Sequence, residues 1–424
     1  MVRPSISERR QWRVLVAVAG VSTVGDLMSS VAIAAYLLEH GSATWVAAYF
    51  VAGLSARTLG APFGGRVVDR LGATRVLVGA NVTSAVLFAI TAVAVAAGAG
   101  IGWILAITTL AALVAGVHRP ALAGIVPRVV PDERLESANA ALAATQQVAW
   151  IVGPAVGAVL ALWWTTSGVV LVNAVTFVAA ALLTSALTPN RRIEAATTDR
   201  TDQATRHALR RVLTTPLLAG AGLMIVFGAE NVVQPLVTRD RWYLDPASAG
   251  LLVTAAGIGG LAGAPFAASS VRRFGPLRSL SLAVSVTLAV FAGIVVAPSM
   301  AWGLGLSVVA GGFGVIYDVA AATLVQRAVP AQALGWAFGL LEVVDGVAQL
   351  SGIVLAPVLI GLLGLGAGGL CLAGLGSVLL LVALVVARGQ RSQIARTIAR
   401  GGEQHDDAHQ QAGSPPRQVL TAGR

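Results

Sequence analysis

"GAPFGGRVVDRLGATRVL", from Gly60 to Leu77, returns 203 residues later as "GAPFAASSVRRFGPLRSL", from Gly263 to Leu280. The copies differ in one telling place: Asp69 stands in the first where Arg272 stands in the second. A second match confirms the duplication, because Val130 and Pro131 return as Val329 and Pro330 with Arg128 matched by Arg327, at an offset of 199. A loop written twice at this separation divides the chain into two similar halves, with about four residues gained or lost between the matches.

What lies on either side of each loop is apolar. Hydrophobic residues make up 56% of the 424 positions and charged residues only 11%, too few to cover a water-soluble particle. A bilayer core needs about 20 apolar residues per helix. Twelve such runs occur, at 14–38, 44–63, 76–97, 101–118, 138–162, 168–187, 217–237, 247–269, 279–297, 302–320, 337–361 and 365–387. Short alternating strands are absent, which excludes a membrane barrel. The first run lacks a small-residue cleavage site and exceeds a signal-peptide core, so it reads as a retained helix. The expected fold is an all-α integral membrane protein of twelve transmembrane helices in two pseudo-symmetric six-helix bundles. Its units are 1–188, a polar cytoplasmic linker at 189–215, a second bundle at 216–388, and a disordered cytoplasmic tail at 389–424.

The net charge of +10 comes from 29 basic residues, all arginine, and their placement gives topology. Arg3, Arg9, Arg10 and Arg13 precede the first run; Arg66, Arg70 and Arg75 follow the second; Arg128 and Arg134 follow the fourth; and six more lie from Arg191 to Arg211. The loops expected on the opposite side, 39–43, 98–100, 163–167 and 298–301, carry none, and only Arg239 and Arg241 break the pattern. Both termini are therefore expected in the cytoplasm. Trp45, Trp103, Trp163, Trp164, Trp242 and Trp302 fall at the other end, as an interfacial belt against membrane lipids. This charge reports topology, and nucleic acid is not an expected partner. Cys371 stands alone in an apolar run and permits no intrachain disulfide. His405, Asp406, Asp407 and His409 cluster in the tail without a fold to preorganise ligands, so neither a metal nor another cofactor is expected.

Two six-helix halves joined with "GRVVDRLGATR" resemble the major facilitator superfamily, whose loop between helices 2 and 3 carries a glycine, an Asp-Arg pair, a second glycine and a basic residue. Gly65, Asp69, Arg70, Gly72 and Arg75 fill those places. The resemblance covers about residues 10–390. "AWIVGPAVGA" in helix 5 is similar to the exporter motif, supplying Gly153, Pro154 and Gly157, with Ala149 and Ala158 where glycine is commoner. The stretch from His118 to Ala140 and "VGD" in helix 1 are similar to the bacterial branch of drug, macrolide and siderophore exporters. The resemblance implies a monomeric, multi-pass transporter of the bacterial-type plasma membrane, moving a small-molecule substrate and protons. It also marks Asp26, within helix 1, as a proton-binding or cation-binding residue.

The loop has a physical reading as a conformational gate. Asp69 suits the unpaired amides at a helix N-terminus, and the resemblance names helix 11 as that partner. Arg70 and Arg75 can pair with acids or lipid phosphates nearby. Arg272 cannot repeat the dipole contact, so the latch is expected on one side only. Arg119 and Asp318 occupy matching inner ends of helices 4 and 10 and form a second candidate gate across the halves.

Ionisable groups inside the membrane are costly unless paired or facing water. Asp26 and Glu230 lie near the middle of helices 1 and 7, within one residue of register between the halves, and are expected to approach a central cavity from opposite sides. Glu342 and Asp345 share one face of helix 11, as proton carriers or as partners of a first-half arginine. Arg57, on helix 2, needs a counter-ion, for which Asp26 is a candidate, or else snorkels to the headgroups. Gln146 and Gln147 on helix 5 are candidate substrate hydrogen-bonding groups. These acids outnumber Arg57, which favours protons and cations.

The leading expectation is proton-coupled efflux of a cationic or amphipathic small molecule by alternating access. Export of a siderophore or other metabolite, and uptake through the same fold, stay open. An enzyme would need a nucleophile with its base, or a metal cluster, at one depth; His40, His118, His207, His405 and His409 are scattered. A receptor or scaffold would not need four intramembrane acids.

Overall fold

The computed structural model describes residues 6–187 and 203–413, and no strand occurs among the described residues. Helices α1 (Ile6–His40), α2 (Ala43–Leu71) and α3 (Ala73–Ala96) open the first half. Helix α4 runs Ile101–Ala115, breaks at Gly116 and Val117, and continues as His118–Val129. Helices α5 (Leu135–Trp163) and α6 (Thr166–Ser185) complete the bundle. The second half holds α7 (Gln203–Leu236, then a π-helical turn Val237–Arg241), α8 (Gly250–Phe274), α9 (Pro276–Val296) and α10 (Met300–Ala328). Its last helical stretch, Leu334–Gly413, turns at Gly364, whose φ of 82° separates α11 (334–363) from α12 (365–413). The described residues thus form twelve long helices, as expected of a twelve-helix membrane protein, and nine helical stretches, one of them α11 together with α12, are long and apolar enough to cross a membrane.

The repeated loop is set by its glycines. Gly72 (φ 85°) ends α2 and donates its N–H to Val68 O at 3.0 Å, and Gly275 (φ 81°) ends α8 and donates to Val271 O at 3.0 Å. A side chain at either φ would be strained, so the same turn in both halves demands the same residue.

Each half encloses its own apolar core, with Leu15, Leu77, Ile125 and Leu135 in the first and Val226, Leu252, Leu288 and Phe291 in the second. Large apolar side chains such as Leu182, Leu362 and Val385 point outward, as lipid requires and water would penalise. The halves meet along seams of small residues, where dispersion at close range is the available attraction. A Cβ on Gly65 would lie 2.9 Å from Gly335 C; one on Gly339 would lie 2.7 Å from Ala61 O; and one on Gly346 would strike Thr58. Helices α5 and α8 meet similarly, Gly260 against Gln147 and Gly257 against Ile151.

Three expectations change. Helix α7 begins at Gln203, inside the expected linker, whose residues 189–202 lie outside the described residues. Helix α12 continues to Gly413 where a disordered tail is expected, consistent with its Arg, Gln, Ala and Glu content; 414–424, and the side chains of His405, Asp406, Asp407 and His409, lie outside the described residues. Trp242 is buried, with its indole N–H donated to Ala297 O at 3.0 Å, so it does not join the interfacial belt. The two arginines that broke the charge pattern are occupied locally. Arg241 caps the last carbonyls of α9, Val296 and Ala297, and Arg239 pairs with Asp240.

Candidate functional site

The first cluster forms between α1 and α6. Asp26 is half-buried near the middle of its span, and its Oδ1 accepts a hydrogen bond from Asn173 Nδ2 at 3.2 Å. The same amide donates to Ser29 Oγ at 2.9 Å, and Thr176 Oγ1 donates to Asn173 Oδ1 at 3.0 Å. Gly25 makes the approach possible, because a Cβ there would collide with Asn173 Oδ1 and Thr176 Oγ1. The "GD" pair is thus a unit: the glycine admits an amide that orients the acid. Glu230, also half-buried near the middle of its span, takes no hydrogen bond or ion pair among the described residues. Its neighbour Asn231 is spent on Phe227 O and Gly228 O of its own helix.

The second cluster joins the halves. Arg57 Nε lies 2.9 Å from Glu342 Oε1, and Arg119 Nη1 lies 3.0 Å from Glu342 Oε2 and 3.4 Å from Asp345 Oδ2. Arg57 therefore takes its counter-ion from α11 and not from Asp26, because the α2–α11 seam brings Glu342 against it. Likewise Arg119 bonds the two α11 acids, not Asp318, which acts on it through space without a hydrogen bond. Arg119 thus makes a contact between the halves, with α11 in place of the expected α10.

Around this cluster the arginine-rich ends of the halves are joined at further points among the described residues. Asp69 Oδ1 and Oδ2 accept from Gly335 N at 3.0 Å and Trp336 N at 2.9 Å, the first amides of α11. Arg327 reaches Glu136 at 2.9 Å and Asp132 at 3.5 Å. Asn139 donates to Gln326 Oε1 at 2.7 Å and Thr323 Oγ1 at 3.1 Å in a buried, uncharged contact of α5 with α10. The second copy of the loop also crosses over, Arg272 Nη1 donating to Ser137 Oγ at 3.0 Å, so both copies touch the other half, but only the first bonds helix amides.

Other candidates fall outside these clusters. Arg70, in the last turn of α2, and Arg75, in the first turn of α3, are exposed and make no hydrogen bond or ion pair among the described residues. Gln146 is exposed, whereas Gln147 packs on Gly260. Gly153 and Gly157 seat α1: a Cβ on the first would lie 2.7 Å from Leu27 Cβ, and on the second 2.6 Å from Met28 O. Pro154 lies half-buried between them. Sequence reasoning missed Asn173, Ser29, Asn139, Glu136 and the His118 to Asn81 contact of 3.0 Å. The available signal was a polar side chain inside an apolar run, which membrane burial obliges to find a partner.

The family profile of the Major Facilitator Superfamily matches residues 15–243. No curated protein matches the chain. Among solved structures, the human organic anion transporter MFSD10 (TETRAN) superposes with a TM-score of 0.74 at 16% identity, covering 90% of this chain and 100% of its own. A bacterial homologue of the iron transporter ferroportin in an outward-facing state gives 0.70 at 18% identity, covering 92% and 100%. A single-residue variant of the E. coli fucose:proton symporter FucP gives 0.68 at 14% identity, covering 88% and 98%. With the family profile over more than half its length and the twelve-helix fold in two tied halves, the chain belongs to the major facilitator superfamily and is a transporter, not an enzyme.

Proposed function

We propose that the protein is a proton-coupled exporter of a cationic or amphipathic small molecule, working as a monomer in a bacterial-type plasma membrane with both termini cytoplasmic. The arginine-rich end is then the cytoplasmic one by the positive-inside rule, and the tied arrangement is the outward-facing state. The observation that carries the reading is a division of labour among the intramembrane acids. Glu342 and Asp345 face arginines across the halves, while Asp26 and Glu230 stand half-buried near mid-span with no arginine bonded to them.

Asp26, held by Asn173, is the fixed acid, and Glu230 is the acid left available on the other half. A cation entering from the cytoplasm replaces lost hydration with these carboxylates; protons from outside displace it once the halves have rocked. The helix 5 glycines keep α5 against α1, which favours a half that moves as one body.

The test is accumulation of a fluorescent lipophilic cation in cells making the wild type or Asp26→Asn, with and without a protonophore. Export through Asp26 predicts lowered accumulation that the protonophore and the substitution each abolish at equal membrane abundance. Unchanged accumulation with wild type removes that cargo class and returns siderophore export or uptake to the front.

A further inference from the structure

The two acids of α11 are only three residues apart, yet they are held differently. Glu342 uses both oxygens on arginines, at 2.9 and 3.0 Å. Asp345 has a single contact of 3.4 Å on Oδ2, and its Oδ1 is buried with no hydrogen-bond partner among the described residues. The residue as a whole is 7% exposed. An ionised carboxylate oxygen without a donor in such a place forfeits its hydration and regains nothing, whereas a protonated carboxyl carries no charge to solvate.

The surroundings reinforce this. From α4 comes Arg119; from α2, through Glu342, comes Arg57; from α10 come Asp318 and the buried Tyr317. From α7, among the described residues, comes Gly220, where a Cβ would collide with Tyr317 Oη and lie 3.0 Å from Asp345 Oδ1. Three carboxylates thus surround two guanidiniums, one more negative charge than the arginines neutralise. One proton balances the set.

Resting on the exporter reading above, we propose that Asp345 is the proton-binding residue of the transport cycle, protonated while the arginine-rich end is closed and deprotonated when that end opens. In the closed arrangement a proton on the carboxyl relieves the bare oxygen. Opening separates α11 from α4, admits water to the carboxylate, and the proton leaves to the cytoplasmic side. The step is a simple association, carboxylate plus proton giving carboxylic acid, with no other bond changed. Glu342, by contrast, stays ionised as the tie itself. Neighbouring acids on one helix face therefore have opposite effects when neutralised.

The experiment uses the full chain in lipid nanodiscs with Cys371→Ser and spin labels at Leu71→Cys and Phe274→Cys, exposed positions at the arginine-rich ends of the two halves. Distance distributions are read from mildly acidic to mildly alkaline pH. In the parent, the ratio of open to closed is expected to rise with pH, by up to about tenfold per unit for one linked proton. Asp345→Asn, the same size and always neutral, is expected to stay closed at every pH. Glu342→Gln is expected to raise the open fraction roughly tenfold or more while keeping the pH response. Asp345→Glu, which still titrates, restores that response and separates proton binding from misfolding. A pH response that survives Asp345→Asn assigns the proton elsewhere and overturns the proposal. Distances that never change in any variant overturn the alternating-access reading and this one with it.

Discussion

Arg272 donates to Ser137 at 3.0 Å, at the place in the second loop where the first loop directs Asp69 to the start of α11. The two contacts are one device with its sign inverted. The start of α5 is acidic, with Asp132 and Glu136 paired to Arg327, and Arg272 crosses beside them to the Ser137 hydroxyl. The first turn of α11 holds no acid and offers bare amides, so the residue that crosses to it is an anion. Divergence of the repeat at this one position follows from what each copy faces.

Asp69→Asn is therefore expected to weaken the closed state more than Arg272→Ser. Two charge-assisted bonds to backbone amides are worth about 1.5–3 kcal/mol, whereas an exposed arginine contact contributes about 0–1 kcal/mol. Spin-label distances at the arginine-rich end check this. Equal effects from both substitutions would contradict the dipole account.

Arg119→Gln leaves Glu342 with Arg57 alone and Asp345 with no cation. Arg119 keeps 38% of its side chain exposed, so the closed state should lose about 1–3 kcal/mol, below the range for a fully buried pair. Adding Glu342→Gln to Arg119→Gln should cost less than the two separate losses combined, because the second change removes a carboxylate already stripped of one partner. A double-mutant cycle on cation efflux, at matched membrane abundance, measures the coupling. Strict additivity would mean that the pair does not act in transport.

Helix count and the order of the elements were legible in the sequence because each rests on local chemistry, apolar length and a left-handed glycine; that Asp69 suits a helix N-terminus was legible as well, but α11 as that helix came from the family resemblance. Partner choice was not legible. Arg57 read as a neighbour of Asp26 through adjacency in the chain, yet its partner lies 285 residues away, brought there by a seam of Gly65, Ala61, Gly335 and Gly339. Trp242 and Arg241 read as surface residues, and were drawn in by the free carbonyls at the end of α9, which no local pattern announces. Asn173 is a single neutral amide in an apolar run, and its partners Asp26 and Ser29 lie on another helix, so no local pattern announces them.

Asn173→Ala supplies a check on that amide. It removes the donor to Asp26 and opens a gap beside Ser29 without altering net charge. Efflux is expected to fall roughly tenfold through weaker cation affinity, the size of effect that losing one hydrogen bond to a charged group carries. Asn173→Gln, whose longer amide can still reach the carboxylate, should recover part of it. A dose series of the cation separates affinity from turnover, and a change confined to turnover would place Asn173 in the moving parts of the bundle instead.

The last prediction concerns the helix 5 glycines, which bring α1 and α5 into backbone contact. A Cβ on Gly157 would stand 2.6 Å from Met28 O and 3.0 Å from Met28 Cα, and neither backbone atom can swing away as a flexible side-chain tip would. A Cβ on Gly153 meets Leu27 Cβ at 2.7 Å and Val24 O at 3.2 Å, where part of the obstruction is a side chain. Gly157→Ala should thus destabilise by about 1–3 kcal/mol, the usual range for overpacking, and Gly153→Ala by less. Gly352, 199 residues after Gly153, holds the same role between α11 and α7, where a Cβ would lie 2.8 Å from Ile225 C. Gly352→Ala is accordingly expected to behave like the helix 5 variants. Thermal unfolding of the detergent-purified protein ranks the three. A Gly157→Ala protein as stable as wild type but inactive would mean that this glycine serves motion between states and not the packing of one.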